Sequence, residues 1–217
     1  MSNKNTPKRF VILISGRGSN MQSIVKMAKS RDDMEIAAVI SHKSNSAGLV
    51  WAAEQGIATS ELLHKSFASR EAYDEALRDL VQSYQPDYVI LAGFMRILTN
   101  VFIDPFAGKL VNIHPSLLPS FTGLDTHERA LAEGVKVHGC TVHFVTPVLD
   151  EGPIIAQAIV PVLDGDDADM LAARVLSMEH QVYPAVIDYL TRDLLSVEGK
   201  TVVYKEAVKT RFVHAEL

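Results

Sequence analysis

Continuous apolar runs alternate with amphipathic segments along the first half of the chain. Residues 10–15, FVILIS, form an apolar run typical of a strand that is buried on both faces of a sheet. Further strands are predicted at 35–41, 57–63 and 87–92. The segments between them carry apolar side chains at helical spacing, which predicts helices at 21–29, 46–55 and 69–84, the last with Ser69 as its cap. This alternation predicts a parallel sheet with right-handed crossovers.

The second half of the chain follows a different pattern. An apolar strand at 110–111 runs into a loop stiffened by Pro115 and Pro119, and a helix is predicted at 125–134 with Asp125 as its cap. Strands at 137–146 and 154–162 are joined by too few residues for a crossover helix, so they should be antiparallel. A helix at 166–192, which Pro184 should kink or divide, precedes a small hairpin. The expected fold class is therefore α/β: a Rossmann-like, mainly parallel open sheet flanked by helices, with an antiparallel C-terminal part.

Composition and charge exclude several classes of protein. The 217 residues are 47% apolar, enough for the core of a single domain spanning residues 1–217, and the net charge is 21 − 26 = −5. That charge gives no general attraction to nucleic acid or to anionic membrane, so neither partner is expected. The longest strongly apolar stretch is too short to cross a bilayer, and the polar start of the chain lacks the apolar core of a leader sequence. With one cysteine, Cys140, the expected setting is the reducing cytoplasm.

A glycine-rich loop, GRGSN at 16–20, joins the first strand to the first helix. A helix N-terminus offers free backbone N–H groups and a positive dipole end to an anion. The loop lacks the third glycine of a dinucleotide fingerprint, where Met21 stands, and the Gly-Lys-Ser/Thr of a Walker loop. It therefore suits a single phosphate. A tight turn with Ser19 or Asn20 as the helix cap is the alternative, and both interpretations stay open.

Asn112 and His114 share one face of the strand that ends at the proline-stiffened loop. An amide donor beside an imidazole suits a reaction in which a carbonyl oxygen becomes negatively charged. Asp150 lies in the turn between the two antiparallel strands and should come near the sheet edge that carries His114. The alternatives are a capped strand end for the first two residues and an ordinary turn residue for Asp150.

Two further groups of residues invite a chemical interpretation. His138 and Cys140 fall on one face of the strand at 137–146 and His143 on the other, so they cannot jointly bind a metal, and no metal is predicted. Residues 93–98, GFMRIL, place large apolar side chains around Arg96 after a strand end. They form either the wall of a site for a flat heteroaromatic ligand or the start of a core helix, and composition alone favours the core.

Together these segments resemble the folate-dependent formyltransferases. The resemblance is carried by ISGRGSN at 14–20, NIHPSLLPSFTG at 112–123 and HFVTPVLDEGPII at 143–155. SREAYD at 69–74, LAGFMRIL at 91–98 and MEHQVYP at 178–184 extend it over most of the chain. Among them, the chain closely resembles the members that formylate glycinamide ribonucleotide in purine synthesis. One departure is Asp125, where many relatives have a histidine.

The resemblance implies a formyltransferase fold with a nucleotide-binding half at about 10–113 and a folate and catalytic half at about 114–217. The amine of glycinamide ribonucleotide would attack the formyl carbon of 10-formyltetrahydrofolate, the implied co-substrate. Asn112 and a protonated His114 would stabilise the oxygen that becomes negative. Asp150 would keep His114 charged and move the amine proton through water, so Cys140 is not expected to act as a nucleophile.

The resemblance also implies binding residues. Gly18, Ser19 and Asn20 would hold the ribonucleotide phosphate, and Glu179 would contact the same substrate. The implied folate site is lined by Arg70, Met95, Arg96, Ile97, Leu98, Asn112, Thr146, Pro147, Val148, Leu149 and Asp150. The expected partners are therefore small-molecule substrates, and the chain is a monomer or a homodimer.

Three other functions compete with this interpretation. A formyltetrahydrofolate hydrolase of the same superfamily usually carries an N-terminal regulatory domain, whereas only about nine residues precede the first strand here. A methionyl-tRNA formyltransferase would need a C-terminal nucleic-acid domain and a basic surface. A non-catalytic phosphosugar-binding module would not need Asn112, His114 and Asp150.

Overall fold

The computed structural model describes residues 6–217. The start of the chain, residues 1–5, in which no leader sequence is predicted, lies outside the described residues. The chain divides into two compact units, Met1–Val111 and Asn112–Leu217. The single-domain organisation predicted from the sequence stays a prediction. Among the described residues, no helix is both long enough and apolar enough to span a membrane.

The first unit is built on parallel strands. These are β1 (Lys8–Ile14), β2 (Met34–Ser41), β3 (Thr59–Glu61) and β4 (Tyr88–Leu91), in the order β4-β1-β2-β3. The helices between and after them are α1 (Ser19–Ala28), α2 (Ala47–Glu54), α3 (Arg70–Ser83) and α4 (Asn100–Ile103). Every residue of β1 from Phe10 to Ile14 is fully buried, as the apolar run predicts for a central parallel strand.

The second unit contains the antiparallel part of the fold. Strand β5 (Leu110–His114) crosses into it from the first unit, and the strand order is β10-β7-β6-β5. The other strands of this set are β6 (Val137–Phe144), β7 (Ile154–Pro161) and β10 (Arg211–Val213). Strands β6 and β7 pair antiparallel, while β10 joins β7 in parallel. Helices α5 (Thr126–Ala132) and α6 (Ala168–Thr191) and the hairpin of β8 (Leu195–Glu198) and β9 (Thr201–Tyr204) complete the unit.

The predicted fold class, with its antiparallel β6 and β7 and its C-terminal hairpin, is confirmed. Two details differ from the sequence prediction. Pro184 does not divide α6, because Tyr183 and Val186 are buried on either side of it and their packing outweighs one missing backbone hydrogen bond. Asp125 occupies the N-cap position of α5, as predicted, but it is left-handed (φ 55°) and its side chain makes no capping hydrogen bond.

Candidate active site

The glycine-rich loop contains a left-handed residue directly before α1. Gly18 is left-handed (φ 68°), a conformation that glycine adopts without a steric cost, and α1 begins at the next residue. The Gly16 carbonyl oxygen accepts hydrogen bonds from the Ser46 hydroxyl (2.8 Å) and from the Gly48 N–H (3.1 Å). This carbonyl dipole is therefore engaged by the start of α2, and its negative end does not oppose an anion at the start of α1.

A pocket of about 310 Å³ opens beside this loop. Its lining consists of residues 15–20 together with Lys43, Ala92, Gly93 and Met95. The predicted phosphate-binding residues Gly18, Ser19 and Asn20 are therefore brought together around one cavity. Arg17 and Lys43, both exposed, add positive charge to the pocket. Sequence reasoning missed Ser15 and Lys43, because one ends an apolar strand and the other lies in an unremarkable loop.

The segment after β4 presents some side chains to solvent and buries others. Met95 and Ile97 are 63% and 60% exposed, whereas Leu98 is buried in the core. The Ile97 carbonyl oxygen accepts a hydrogen bond from the Arg70 guanidinium at 2.7 Å, so the structure brings these predicted folate-site residues together. The Arg96 guanidinium lies 4.6 Å from the centre of the Tyr73 ring, in cation–π geometry. Because the Leu98 side chain is buried, any contact of Leu98 with a ligand would come from its backbone.

His114 and Asp150 lie next to each other within the second unit, as predicted. The His114 Nδ1 atom is 3.6 Å from the Asp150 Oδ2 atom, and the two side chains are 8% and 6% exposed. The other ring nitrogen, Nε2, lies 2.9 Å from the Phe121 carbonyl oxygen. Because a carbonyl only accepts, Nε2 carries a hydrogen, and a second proton would sit on Nδ1 facing the carboxylate. Asp150 Oδ2 also accepts the Gly123 N–H at 2.9 Å, which anchors the carboxylate.

The amide of Asn112 is oriented by a histidine that sequence reasoning considered only as a metal ligand. Asn112 Nδ2 lies 3.3 Å from His143 Nε2, and His143 Nδ1 donates to the Phe144 carbonyl oxygen at 2.9 Å. Burial lowers the pKa of His143, so the neutral ring has a lone pair on Nε2 that accepts the amide hydrogen. The second amide hydrogen of the half-buried Asn112 is left for a ligand.

The loop between β5 and α5 is held by polar side chains from β6 and β7. The buried Thr141 hydroxyl donates to the Ser116 carbonyl oxygen (2.7 Å) and accepts the Leu118 N–H (3.0 Å). Gln157 Nε2 donates to the Leu118 carbonyl oxygen at 3.0 Å. These bonds satisfy backbone groups that prolines and irregular geometry leave without ladder partners. They also hold the stretch that leads to Phe121, whose carbonyl binds His114.

The turn that carries Asp150 has its own geometric requirements. Asp150 is left-handed (φ 56°), and a side chain at Gly152 would place its Cβ atom 1.8 Å from the Phe144 carbonyl oxygen. Only glycine therefore allows the close approach of β6 to this turn. Thr146 donates to the Val148 carbonyl oxygen at 3.2 Å. Pro147, Val148 and Leu149 are exposed, so this part of the predicted folate wall is available for contact.

Glu179 lies on α6 with its side chain buried. Burial, reinforced by the nearby charge of Glu179, raises the pKa of the Tyr183 hydroxyl and of the Cys140 thiol. The thiol therefore stays protonated at neutral pH. Glu179 belongs to the second unit and the glycine-rich loop to the first, so their joint contact with one substrate stays a prediction. That the glycine-rich loop lies close to Asn112 and Asp150 likewise stays a prediction.

Comparison with known proteins agrees with this chemistry. The family described as formyl transferase matches residues 8–187. The chain is 51% identical over 181 residues to phosphoribosylglycinamide formyltransferase of Escherichia coli (strain K12), which covers 83% of this chain and 85% of that protein. It is also 42% identical over 201 residues to the human trifunctional purine biosynthetic protein adenosine-3, which covers 91% of this chain and 20% of that protein.

The fold of this chain is also similar to solved structures of known proteins. Glycinamide ribonucleotide transformylase 1 from Symbiobacterium toebii superposes with a TM-score of 0.90 at 42% identity, over 94% of this chain and 96% of that one. A formyltetrahydrofolate deformylase from Pseudomonas syringae pv. tomato gives a TM-score of 0.85 at 28% identity, over 92% of this chain and 66% of that one. By the extent of these matches, the chain belongs to the formyl transferase family.

Proposed function

We propose that this chain transfers the formyl group of 10-formyltetrahydrofolate to the amine of glycinamide ribonucleotide, a step of purine synthesis. The observation that carries the proposal is the buried contact between His114 and Asp150, together with the Asn112 amide that His143 orients. An oriented amide donor, an imidazole and a carboxylate are the groups that transfer of an acyl group to an amine requires. The strong similarity to phosphoribosylglycinamide formyltransferases supports this choice of substrates.

The ribonucleotide phosphate binds in the pocket of the glycine-rich loop. Gly18, Ser19 and Asn20 offer backbone N–H groups and polar side chains at the start of α1, and Arg17 and Lys43 supply positive charge. A phosphate dianion suits this pocket because helix dipole and side-chain charge have the same sign there. Glu179 is the proposed contact for the remainder of the ribonucleotide.

The folate co-substrate binds against the exposed side chains of Met95 and Ile97. Arg70 fixes this wall by its hydrogen bond to the Ile97 carbonyl oxygen. The turn that contains Val148 and Leu149 forms a second apolar surface. The side chains of these two residues are both exposed. Exposed apolar side chains of this kind suit the flat ring system of a pterin, and burying them would contribute to binding.

In the proposed mechanism, the second N–H of the Asn112 amide donates to the formyl oxygen as that oxygen becomes negative. His114 contributes its positive charge, because Phe121 engages its Nε2–H and Asp150 faces its Nδ1 atom. Asp150 accepts the proton that the attacking amine releases, directly or through water, and returns it to the leaving nitrogen. No residue of the chain becomes covalently modified.

A second candidate function is hydrolysis of the same folate to release formate. The structural similarity to a formyltetrahydrofolate deformylase favours it as the nearest alternative. The positively charged pocket argues for transfer, since water as the acceptor would need no phosphate site.

Product analysis tests the proposal directly. The purified chain is incubated with 10-formyltetrahydrofolate, with and without glycinamide ribonucleotide, and the products are separated and identified by mass spectrometry. We expect formylated ribonucleotide in an amount equal to the tetrahydrofolate formed, and no turnover without the ribonucleotide. Formate released in the absence of ribonucleotide would establish the hydrolase instead, and no product under either condition would leave a binding module.

A further inference from the structure

The loop that leads into α5 contacts both members of the pair formed by His114 and Asp150. The Phe121 carbonyl oxygen lies 2.9 Å from His114 Nε2, and the Gly123 N–H donates to Asp150 Oδ2 at 2.9 Å. These two backbone groups lie two residues apart and bind opposite members of the pair. A change in the backbone of residues 121–125 would therefore displace a partner of each catalytic side chain.

The backbone of this loop has an uncommon conformation. Phe121 and Asp125 are left-handed, with φ angles of 53° and 55°, which few residues other than glycine adopt. Gly123 lies between them and is also left-handed (φ 79°), at no steric cost. Strained backbone of this kind persists where the surrounding structure determines it. The loop conformation therefore depends on contacts from other parts of the second unit.

Arg129, an exposed residue of α5, supplies such contacts. Its Nη1 atom donates to the Thr122 carbonyl oxygen at 2.6 Å and to the Leu124 carbonyl oxygen at 3.3 Å. Because Nη1 carries two hydrogens, it can serve both carbonyl groups, which belong to the residues directly before and after Gly123. The guanidinium carbon also lies 5.6 Å from the centre of the Phe121 ring, within cation–π range. One side chain therefore binds the loop on both sides of the Gly123 amide.

The helix that carries Arg129 is itself anchored close to His114. The buried hydroxyl of Thr126, the first residue of α5, donates to the Pro115 carbonyl oxygen at 2.7 Å. Pro115 directly follows His114 in the chain. Ala130, the neighbour of Arg129, is fully buried and fixes the helix on its inner side. The guanidinium group therefore extends from a fixed element towards the loop.

We infer that Arg129 is a positioning residue for the carboxylate of Asp150. By binding the carbonyl groups on both sides of Gly123, it keeps the Gly123 N–H directed at Asp150 Oδ2. The role rests on the proposed function, in which this carboxylate accepts the proton of the attacking amine. A carboxylate without its anchor can rotate, so the geometry that proton transfer requires is reached less often.

Hydrogen exchange tests the contact independently of any reaction. The exchange rate of the Gly123 amide is measured by NMR in wild type, Arg129→Ala and Arg129→Lys. The amide should exchange about ten-fold faster in Arg129→Ala, because the hydrogen bonds that hold its neighbours are lost. Lysine keeps a cation that can donate to the same carbonyl groups, so Arg129→Lys should give an intermediate rate. Equal rates in wild type and Arg129→Ala would show that Arg129 does not hold the loop.

Steady-state kinetics test the consequence for the reaction, with turnover followed as the tetrahydrofolate formed. The kcat of Arg129→Ala should fall about ten-fold while KM for both substrates changes less than about two-fold, because the lost contact acts on proton transfer and not on binding. Arg129→Lys should recover part of the loss. Combined with Asp150→Asn, Arg129→Ala should lower kcat little further, since the carboxylate on which it acts is already absent.

Arg192→Ala is the matched control. Arg192 is another exposed arginine of the second unit, and its guanidinium contacts the carboxylates of Asp188 and Glu206. Its substitution should change neither the exchange rate of the Gly123 amide nor kcat. If Arg129→Ala does not fold, as judged by its thermal melting curve, Arg129→Met takes its place. Methionine keeps an unbranched side chain without a donor, so the same changes in exchange and kcat are expected.

Two kinetic results would also overturn the inference. An unchanged kcat in Arg129→Ala would show that the loop contact does not serve the reaction. Losses that multiply in the double variant would show that Arg129 acts independently of Asp150. If wild type releases formate and forms no formylated ribonucleotide, the proposed function falls, but both measurements still test Arg129. If wild type shows no turnover, the exchange rates alone decide: faster exchange in Arg129→Ala supports the contact, and equal rates overturn it.

Discussion

At the scale of single residues, His114 is held on both sides by oxygen atoms. The Phe121 carbonyl oxygen engages Nε2, and the Asp150 carboxylate faces Nδ1. A hydrogen on Nδ1 would therefore face the carboxylate of Asp150. Because both side chains are almost fully buried, the charge of each strongly affects the other. The catalytic proposal depends on this pair more than on any other contact.

Replacing Asp150 by asparagine tests that dependence. The amide oxygen of the Asp150→Asn variant can still accept the Gly123 N–H, so the turn should be preserved while the negative charge is lost. We expect turnover to fall about a hundred- to a thousand-fold, with both substrate affinities changing much less. The double variant with His114→Ala should be little slower than the slower single variant, since the two groups act as a unit. If the losses multiply, or if Asp150→Asn keeps most of its turnover, the proposed mechanism is wrong.

His143 gives a second prediction at this scale. His143→Leu removes the acceptor for the Asn112 amide, which can then rotate away from the formyl oxygen. Turnover should fall about ten-fold, the equivalent of one ordinary hydrogen bond. His143→Gln offers a carbonyl oxygen to the same amide and should recover part of the loss. The turnover of both variants is measured by steady-state kinetics. Equal turnover in His143→Leu and His143→Gln would argue against a role of His143 in orienting the Asn112 amide.

At the scale of elements, the loop between β5 and α5 depends on strands that follow it in the chain. Thr141 of β6 and Gln157 of β7 bind its backbone, and its far end carries the Phe121 carbonyl oxygen that engages His114. A loop held in this way makes the position of the Phe121 carbonyl oxygen, and so of His114, depend on the register of the β6 and β7 pair. Loss of the loop's anchors should therefore reduce both stability and activity.

Thr141→Val is the substitution that tests the loop anchor. Valine keeps the shape of the side chain but leaves the Ser116 carbonyl and the Leu118 N–H without their partner in a fully buried place. We expect the free energy of unfolding to fall by about 2–3 kcal/mol in urea denaturation, with a loss of turnover. The control is Thr201→Val on the exposed face of β9, which should change neither quantity appreciably.

The segment after β4 gives another prediction at this scale. Ile97→Asp places a charge on the proposed pterin surface, where the side chain is 60% exposed, so folding should be preserved. The Michaelis constant for the folate should rise about ten-fold or more, while that for the ribonucleotide changes little. Val50→Asp on α2, at 58% exposure, is the matched control and should leave both constants unchanged. Unchanged folate kinetics in Ile97→Asp would remove this segment from the site.

At the scale of the whole molecule, buried histidines make stability depend on pH. Burial lowers the pKa of His42 and of His138 to about 4, and it also lowers the pKa of His127 and of His143. The unfolded chain binds protons at these rings near pH 6.5, before the folded chain does. The contribution of these histidines to the free energy of unfolding is therefore fully present above about pH 6.5 and is lost as the pH falls towards 4.

This dependence is measurable by urea denaturation at a series of pH values. The free energy of unfolding of wild type should fall steadily between about pH 6.5 and pH 4. His42→Gln removes one of the titrating rings, and the slope of its curve should be smaller by at most about 1.4 kcal/mol per pH unit. Identical slopes in wild type and His42→Gln would mean that His42 is not protonated more readily in the unfolded chain.

Local patterns in the sequence determined most of the elements and the chemistry that they carry. The apolar run of β1 predicted a buried central strand, and Ser69 was predicted as the cap of α3, where its side chain accepts the Ala72 N–H. The short connection between β6 and β7 predicted their antiparallel pairing. These features follow from interactions among neighbours in the chain: backbone geometry, hydrophobic periodicity and capping. The resemblance of the motifs identified the family for the same reason, since each motif is local.

Only the tertiary structure decided which distant side chains meet. The predicted strand at 57–63 is limited to Thr59–Glu61, because β3 pairs with β2 over those three residues alone. The contact of Asn112 with His143 joins separate elements, and so do the contacts of His42 with Ser15 and with His64. Such contacts depend on strand register and on the path of loops, which a pattern of residues along one segment does not specify. Hydrogen-bond direction is decided at the same level, because a histidine's tautomer follows from the partners that the fold places around it.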